Sequence, residues 1–371
     1  PLLLLIGLSY SQGGGYALDF DGSNDYVTMG DVLDQSGDFT IMAWVYVEDA
    51  TYHAIATKLA QPSNYYGYTL AIEHDEGGGG DDGVHFSVAE NISGGAPRAI
   101  TSRVLTTWKH YAGVYDAGSS IKLYSDGTLA QTNTSSIPSS LSDNSGTFFI
   151  GASQNAGNWP FNGKIDAVSV WSAALTQSQI QDYMHKVLAG NESDLEAYYK
   201  MSNGSGSSLT DNSSNSNTGT LTNMDNSDWV TSYAPIGNLG SSYKTDVEAV
   251  WKVSGTSESD ASNGLTMTVA SALSTGNFAV FGNNNLGGTL SSDLGSVAST
   301  VRTQRIWQVD ESGTVAANIK IDISDATGNA GQSGTASNYR LLYRSGTTGD
   351  FSSVATGSSI SGDVITFNSI S

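Results

Sequence analysis

The sequence predicts an all-β protein in which an antiparallel two-sheet sandwich with one short helix is followed by a second, smaller β-sandwich. Three observations support this prediction. Short segments that alternate apolar and polar residues recur along the chain, as expected of half-buried antiparallel strands. The chain has 43 glycines and only 6 prolines, which suits many tight turns. Its 371 residues exceed one ordinary domain, so two domains are expected.

The first predicted unit spans residues 13–232 and carries most of the alternating segments. Ser125-Asp126-Gly127 predicts a hairpin turn between two of its strands. Many strands joined by short turns are typical of a two-sheet sandwich. The predicted strands are 16–20, 26–29, 39–47, 54–57, 68–73, 84–88, 108–115, 121–125, 148–152, 164–171 and 219–221.

One segment of this unit, residues 176–189, departs from the β pattern. Thr176 and Gln179 have the spacing of a capping box, and Gly190 is a stop signal. We therefore predict a single helix here. Its apolar residues at helical spacing are Ile180, Met184, Val187 and Leu188.

A linker at 233–242 contains Pro235 and Gly237 and separates this unit from a second β-rich unit, 243–371. The chain stops at Ser371 directly after a predicted strand, so we expect the second domain to continue beyond this point. Its predicted strands are 247–253, 265–269, 278–281, 305–309, 315–323, 339–343 and 364–367.

The first residues have the pattern of a signal-peptide remnant, assigned to 1–12. An apolar run, 2–7, precedes Ser9-Tyr10-Ser11, a small-x-small cleavage pattern, so the mature chain is expected to begin near Gln12. The basic segment that normally precedes such a run is missing, so we expect the natural protein to begin earlier. The alternative is a buried first strand. No other apolar run approaches the ~18 residues of a membrane span.

The charge balance limits the classes of partner. With 36 acidic and 15 basic residues, the formal net charge is −21. Such an acidic surface repels phosphate backbones, which argues against nucleic-acid binding. It would attract divalent cations, or it serves only to keep the protein soluble. The chain has no cysteine, which excludes disulfides and cysteine-based zinc sites.

Five segments of the first unit follow one another as ALDFDGSNDYV (17–27), FTIMAWVYV (39–47), TWKHYAGVYDAGSSIKLYSDGTL (107–129), FFIGA (148–152) and FNGKIDAVSVWSAALTQSQI (161–180). In order and spacing they resemble the laminin-G-like, concanavalin-A-like jelly-roll superfamily, in the branch shared with pentraxins. The second unit contains the segments TQRIWQVDESGTV (303–315), IKIDIS (319–324) and YRLLYRSGTTGDFS (339–352). Through these segments it resembles a β-sandwich module of large secreted bacterial surface proteins. The resemblance implies a bacterial protein that is secreted or held at the cell surface.

The turn DGSND offers oxygen ligands of the kind that Ca²⁺ prefers, from Asp21, Ser23 and Asp25. Members of the resembled family hold a structural Ca²⁺ near the seam between the first strand and FNGKIDAV, which implies Asp166 as a further ligand. The alternative is an Asx-type turn without metal. A second, weaker metal candidate flanks four glycines at Asp75, Glu76, Asp81 and Asp82, a segment that also fits a solvated hairpin tip.

A ligand-binding surface is predicted on two loops, 60–68 and 152–163. The aromatic rings of Tyr65, Tyr66 and Trp159 are suited to stacking on sugars, and the amides of Asn64, Gln154 and Asn155 to hydrogen bonding. The acidic pair of the pentraxin double-calcium site is absent. The alternative for Trp159 is packing on the sheet edge.

We expect no enzymatic activity. Glu73 and Asp75, two apart on a strand, would share one face at roughly 7 Å, but the chain then enters the glycine run instead of continuing as the strand that a retaining glycosidase needs. No histidine pair has zinc-ligand spacing, and no phosphate-binding glycine loop is present.

The sequence thus predicts a cell-adhesion or recognition module that binds a glycan or an extracellular protein, with calcium as cofactor. Two alternatives remain open. One is a structural subunit of an extracellular fibre that self-assembles without a small ligand. The other is an accessory binding module of a carbohydrate-active enzyme.

Overall fold

The computed structural model describes residues 3–9, 15–60, 65–73, 83–92, 96–153, 158–251, 257–260, 264–269, 273–274, 276–297, 301–327, 334–346 and 348–370. These residues are almost entirely strands and turns, which confirms the predicted all-β class. They fall into two compact units. The first comprises Gly14–Gln181 and Leu188–Ala234, and the second comprises the described parts of Pro1–Gly13, Asp182–Val187 and Pro235–Ser371.

The long central strands of the first unit are buried along nearly their whole length. Including the leading strand, which belongs to the second unit, the strands of this part of the chain are β1 (Leu3–Ser9), β2 (Tyr16–Asp21), β3 (Tyr26–Thr28), β4 (Phe39–Val47), β5 (His53–Ala60), β6 (Tyr65–Glu73), β7 (Gly83–Ile92), β8 (Arg98–Thr101), β9 (Trp108–Asp116), β10 (Ser120–Ser125), β11 (Thr128–Asn133), β12 (Phe148–Ile150), β13 (Asn162–Trp171), β14 (Leu195–Tyr199), β15 (Ser208–Leu209), β16 (Gly219–Thr222) and β17 (Trp229–Thr231).

Two antiparallel sheets build the first unit. One has the order β11-β10-β9-β4-β13-β2-β17, with β14 also paired to β13, and the other has the order β15-β16-β3-β12-β5-β6-β7-β8. The first and last long strands of the unit, β2 and β13, are neighbours, with Asp21 opposite Asn162. This pairing places segments from near the two ends of the unit side by side inside the first of these sheets.

The core lies between the two sheets and centres on Phe39. Its ring is 4.7 Å from that of Tyr68, 5.7 Å from that of Phe86 and 5.4 Å from that of Tyr115, measured between centroids. Gly113 leaves room for Phe86, because a Cβ at Gly113 would lie 2.2 Å from Phe86 Cγ. The close approach of sheet and ring therefore requires a glycine at this position.

The helix α1 (Gln177–Met184) is shorter than predicted. It begins where the capping box predicted, since Thr176 Oγ1 accepts from Gln179 N at 3.3 Å and Gln179 Oε1 accepts from Thr176 N at 2.9 Å. It ends six residues before the predicted stop at Gly190.

The predicted hairpin at Asp126 and Gly127 is confirmed, since both residues have positive φ as a type I′ turn requires.

The second unit contains two main sheets, ordered β18-β21-β24-β1-β26-β27 and β19-β20-β25-β29-β28, and a small pair, β22-β23. A second helix, α2 (Ile323–Thr327), lies within it. Its strands are β18 (Thr245–Val250), β19 (Ser257–Asp260), β20 (Leu265–Val269), β21 (Phe278–Asn283), β22 (Thr289–Leu290), β23 (Arg302–Thr303), β24 (Trp307–Ser312), β25 (Ala317–Asp322), β26 (Arg340–Arg344), β27 (Ser352–Thr356), β28 (Ser359–Ser361) and β29 (Val364–Ile370).

The apolar run at the start of the chain forms strand β1 of this second unit. It pairs with β24 on one side and with β26 on the other. The structure therefore describes Leu3–Ser9 as a strand, and the signal-peptide remnant at 1–12 stays a prediction. Within the described residues, no helix is long and apolar enough to cross a bilayer.

Candidate functional site

A stacked aromatic pair, the half-buried Tyr52 and the exposed Trp159, lies beside the start of β5 in the first unit. The two rings are stacked, with centroids 6.2 Å apart and planes 22° apart. Trp159 remains 38% exposed and has a φ of +53°, a conformation that non-glycine residues rarely adopt. Its carbonyl accepts a hydrogen bond from Ala54 N at 2.8 Å, which fixes its loop to β5. We call these two rings the aromatic platform.

A hydrogen-bonded network centred on Asp49 lies beside the aromatic platform. Asp49 Oδ1 accepts from Thr51 N at 2.8 Å and is 2.7 Å from His53 Nε2. Asp49 Oδ2 accepts from Asn162 Nδ2 at 2.6 Å. His53 Nδ1 is 2.6 Å from Pro160 O, next to Trp159. The network thus ties the segment carrying Tyr52 to the segment carrying Trp159.

These contacts keep Asp49 ionised. Burial on its own would raise the pKa of Asp49, but the hydrogen bonds from Asn162, Thr51 and His53 together lower that pKa well below its ordinary value. The side chain remains 39% exposed. A charged, partly exposed carboxylate is a strong acceptor for hydroxyl groups. The aromatic platform and Asp49 together therefore combine flat apolar faces with a fixed polar acceptor.

The other predicted ligand residues lie elsewhere or outside the described ranges. Tyr66 is opposite Ala60 in β5, whereas Trp159 contacts Ala54. Six residues of strand separate these positions, which is about 20 Å. Tyr66 Oη instead donates to Asn91 Oδ1 at 2.8 Å, so the structure does not bring Tyr66 to Trp159.

Only the backbone of Tyr65 is described, as part of β6, where it pairs with Ile92. Asn64, Gln154 and Asn155 lie outside the described residues, so their prediction as ligand-binding residues stands untested.

The predicted metal turn at residues 21–25 is closed by its own hydrogen bonds. Asp21 Oδ1 accepts from Ser23 N at 2.8 Å and from Asn24 N at 3.3 Å, and Asp25 Oδ2 accepts from Asp21 N at 3.0 Å. Asp21 and Ser23 are exposed, whereas Asp25 is buried. This is an Asx-type turn with two carboxylates held close together.

The position of Asp25 perturbs its ionisation. Burial raises the pKa of Asp25 to about 6, and the neighbouring carboxylates Asp21, Asp228 and Asp19 add to this increase, against a hydrogen bond from the Asp21 backbone. Asp228 was not predicted as part of this group. It lies across from β2 because Trp229 pairs with Leu18.

Asp166 does not join this turn, which corrects the expectation from the resemblance. The residue of β13 opposite Asp21 is Asn162, four positions before Asp166. The Asp166 side chain is fully buried and accepts from Ser232 Oγ at 2.5 Å and Ala167 N at 2.7 Å. Asp166 is therefore a buried structural carboxylate and not a neighbour of Asp21.

Across the ranges that the structure describes, no three His, Asp or Glu side chains converge as a metal-ion site. An ion at the turn would therefore have to take most of its ligands from backbone carbonyls and water, which Ca²⁺ accepts. The weaker candidate of Asp75, Glu76, Asp81 and Asp82 lies outside the described residues.

The carboxylate considered for catalysis, Glu73, has a structural partner. Arg98 Nη1 donates to Glu73 Oε2 at 2.5 Å, and Arg103 Nη1 donates to the Glu73 carbonyl at 3.0 Å. Asp75, the second carboxylate of that hypothesis, is not described. The contacts of Glu73 are those of an ion pair that joins β6 to β8.

Sequence reasoning found Trp159 but missed its partners Tyr52, Asp49 and Asn162. The four residues lie in two segments more than 100 positions apart, and only the pairing of β13 with its neighbours brings them together. The one local signal was the cluster of polar and aromatic residues at 49–53, directly before a predicted strand.

Comparison with known families agrees with this architecture. Residues 21–181 match the family described as the concanavalin A-like lectin/glucanases superfamily. The first unit is a laminin-G-like jelly roll. Residues 240–371 match a family described as a domain of unknown function. None of the curated proteins compared with the chain matches it.

Several solved structures resemble the jelly roll. A protein of Bacteroides ovatus, assigned as carbohydrate binding, is 23% identical with a TM-score of 0.46, over 58% of this chain and 61% of that one. A pentraxin of Limulus polyphemus is 16% identical with a TM-score of 0.38, over 45% and 81%. The sialyllactose-bound module of a Ruminococcus gnavus sialidase is 14% identical with a TM-score of 0.35, over 46% and 97%. At these identities the likeness concerns the fold alone.

Proposed function

We propose that the jelly roll is a glycan-binding module and that the aromatic platform of Tyr52 and Trp159 is its recognition surface. The observation that carries this proposal is the stacked pair of rings, of which Trp159 is exposed, beside an ionised Asp49. A sugar presents an apolar face of C–H groups and a rim of hydroxyls, and the platform offers a partner for each.

The division of roles follows from the geometry. Trp159, which is the more exposed ring, supplies the stacking face, and Tyr52 packs against it. Asp49 accepts hydrogen bonds from hydroxyls, and Asn162 can donate to or accept from them, as the few placed polar groups of a ligand site do. The left-handed backbone at Trp159, held by Ala54 N, fixes the ring before ligand arrives. Such preorganisation lowers the entropic cost of binding.

A structural Ca²⁺ at the turn of residues 21–25 is a second part of the proposal. Asp21, Ser23 and Asp25 supply oxygens, backbone carbonyls and water complete the coordination, and Asp228 adds negative charge nearby. The turn adjoins the platform, since Gly22 N donates to Phe161 O at 2.9 Å. An ion here would neutralise the repulsion among these carboxylates and hold the segment that leads to Trp159.

The biological setting that we propose is adhesion or recognition outside a bacterial cell, with a glycan or a glycosylated extracellular protein as the partner. The net charge of −21 suits a soluble extracellular surface. Residues 243–371 would then serve as the module that follows the binding domain. An accessory module of a carbohydrate-active enzyme uses the same surface and differs only in the domains attached to it.

A glycan array with the full chain tests the proposal. We expect binding that Trp159→Ala removes and Trp159→Phe largely retains, because phenylalanine preserves a stacking face. Leu129→Ala is the matched control, since Leu129 is similarly exposed at 43% but lies on the edge strand β11. Binding that is equal for the native chain and Trp159→Ala would overturn the assignment of the platform.

A further inference from the structure

A strand-accepting slot lies in the second unit, between β24 and β26. These strands do not pair with each other, because β1 separates them. Ile6–Ser9 pairs with Trp307–Asp310, and Leu3–Gly7 pairs with Arg340–Arg344. Without an occupant, both facing edges would expose unpaired N–H and C=O groups beside the buried side chains of Trp307, Val309, Leu341 and Leu342, which a folded protein avoids.

The pairing of β1 differs from that of the rest of its sheet. Both ladders that β1 forms are parallel, whereas β18–β21, β21–β24 and β26–β27 are antiparallel. Parallel pairs are slightly less stable per residue than antiparallel pairs. The sheet is therefore expected to open most readily at β1.

The connectivity of β1 also favours exchange. Residues 15–234 lie between β1 and the remainder of its unit, and most of them form the other unit. The chain therefore tethers β1 to its slot only through a very long connection, and the entropic cost of closing a connection grows with its length. The same segment from another molecule carries the same pairing groups, so exchange between identical chains preserves the contacts.

We propose that the slot between β24 and β26 is a strand-exchange site and that Leu3–Ser9 of a second copy of this chain occupies it. Addition of an extended segment to open strand edges is an established mode of recognition, in which main-chain hydrogen bonds supply most of the affinity. Reciprocal exchange gives a closed dimer, and successive exchange gives a chain of copies. This inference is independent of the glycan site.

The test mixes isotope-labelled and unlabelled full chains and follows them by native mass spectrometry. We expect dimers or larger assemblies of mixed mass at high protein concentration. Ile6→Pro removes an N–H from the middle of β1 and should abolish these assemblies, whereas Ile6→Val should keep them. Trp159→Ala should have no effect on them. A chain that stays monomeric at every concentration would overturn the proposal.

A peptide assay covers the case in which Ile6→Pro weakens folding. A labelled peptide of residues 1–12, added to the Ile6→Pro chain during refolding, should bind one per chain and restore the melting temperature of the native chain. The same peptide carrying the proline should do neither. Failure of the unmodified peptide to bind would contradict the proposal, as would recovery of a processed chain beginning at Gln12 from a secreting bacterial host.

Discussion

Ser232 Oγ donates a hydrogen bond to Asp166 Oδ2 at 2.5 Å, joining two residues that are 66 positions apart in the sequence. The contact lies in the interior of the jelly roll, where Asp166 has no exposed surface. It explains why an aspartate in the FNGKIDAV segment serves the fold. The carboxylate satisfies buried donors instead of facing the turn of residues 21–25.

This burial predicts a pH dependence of stability. Burial raises the pKa of Asp166 well above its ordinary value of 3.8. The folded state thus favours the protonated form, so the contribution is most favourable below the unfolded pKa and is lost as pH rises toward the folded pKa. We expect Asp166→Asn to reduce the change of unfolding free energy with pH. Urea unfolding measured from pH ~4 upward, just above the pKa of about 3.9 of an ordinary aspartate, tests this. Asp116→Asn, on an exposed pair, should leave the pH dependence unchanged.

The proposed calcium site predicts a second pH effect. Since the pKa of Asp25 is raised to about 6, Ca²⁺ must displace a proton below that pH. We expect the full increase in melting temperature on adding Ca²⁺ at a pH of ~7.5, where Asp25 is ionised. The increase should become smaller as the pH falls through about 6, the pKa of Asp25. Asp25→Asn should remove the increase and Asp143→Asn should not. No shift with millimolar Ca²⁺ at the higher pH would rule out the site.

The aromatic platform predicts a graded effect of its supporting ring. An aromatic pair contributes about 0.5–1.5 kcal/mol beyond its buried area, so Tyr52→Ala should weaken glycan binding roughly two- to tenfold by freeing Trp159. Tyr52→Phe should bind nearly as the native chain does. Titration by calorimetry measures both constants. An equal loss in the two variants would mean that the Tyr52 hydroxyl, and not its ring, is required.

Lys58 predicts a stability effect away from the site. Its side chain is fully buried, and Nζ donates to Asp31 Oδ1 at 2.9 Å and Gly146 O at 2.8 Å. Lys58→Met keeps the apolar stem but removes the donor to the carbonyl of buried Gly146 and the ion pair with Asp31, so we expect a loss of about 1–3 kcal/mol in the free energy of unfolding. Lys122→Met, on an exposed pair, should change it by less than about 0.5 kcal/mol. Equal stability of both variants would show that the acceptors find other donors.

The contact between Gly113 and Phe86 predicts a packing effect. A methyl group at Gly113 would overlap the Phe86 ring, so Gly113→Ala should lower the free energy of unfolding by about 1–3 kcal/mol. Phe86→Leu should partly offset this loss in the double variant, because the two sites share one space. Gly37→Ala is the control, since no atom lies within 4 Å of its added Cβ. Additive effects of Gly113→Ala and Phe86→Leu would contradict the proposed overlap.

Local patterns identified much of the fold. Alternation located strands such as Phe39–Val47, whose predicted and observed bounds agree, and the capping box located the start of α1. The same reasoning missed a set of strands that are short or lie at sheet edges, where alternation is weak: β8, β11, β14, β15 and β17 of the first unit and β19, β22, β23, β27 and β28 of the second. β11, for example, is mostly exposed, so no apolar face marks it in the sequence.

The candidate site was only partly predictable, for a physical reason. Trp159 was recognisable as an aromatic residue in a loop, but its distance from Tyr66 and its contact with Tyr52 depend on which end of β5 each loop joins. Register also separated Asp166 from Asp21, because the residue of β13 that lies opposite Asp21 is Asn162, four positions before Asp166. Residue type alone gives neither relation.

The amino-acid sequence by itself determined the class of this protein: its period-two patterning, turn residues and acidic charge specify β-sandwich units with a polar surface. Tertiary structure decided which side chains share a surface, because contacts between strands more than 100 residues apart follow from sheet order and register. It also placed Leu3–Ser9 in a sheet built largely from residues beyond 235. Backbone pairing is not specific to one side-chain sequence, so the composition of this segment could not reveal its partner strands.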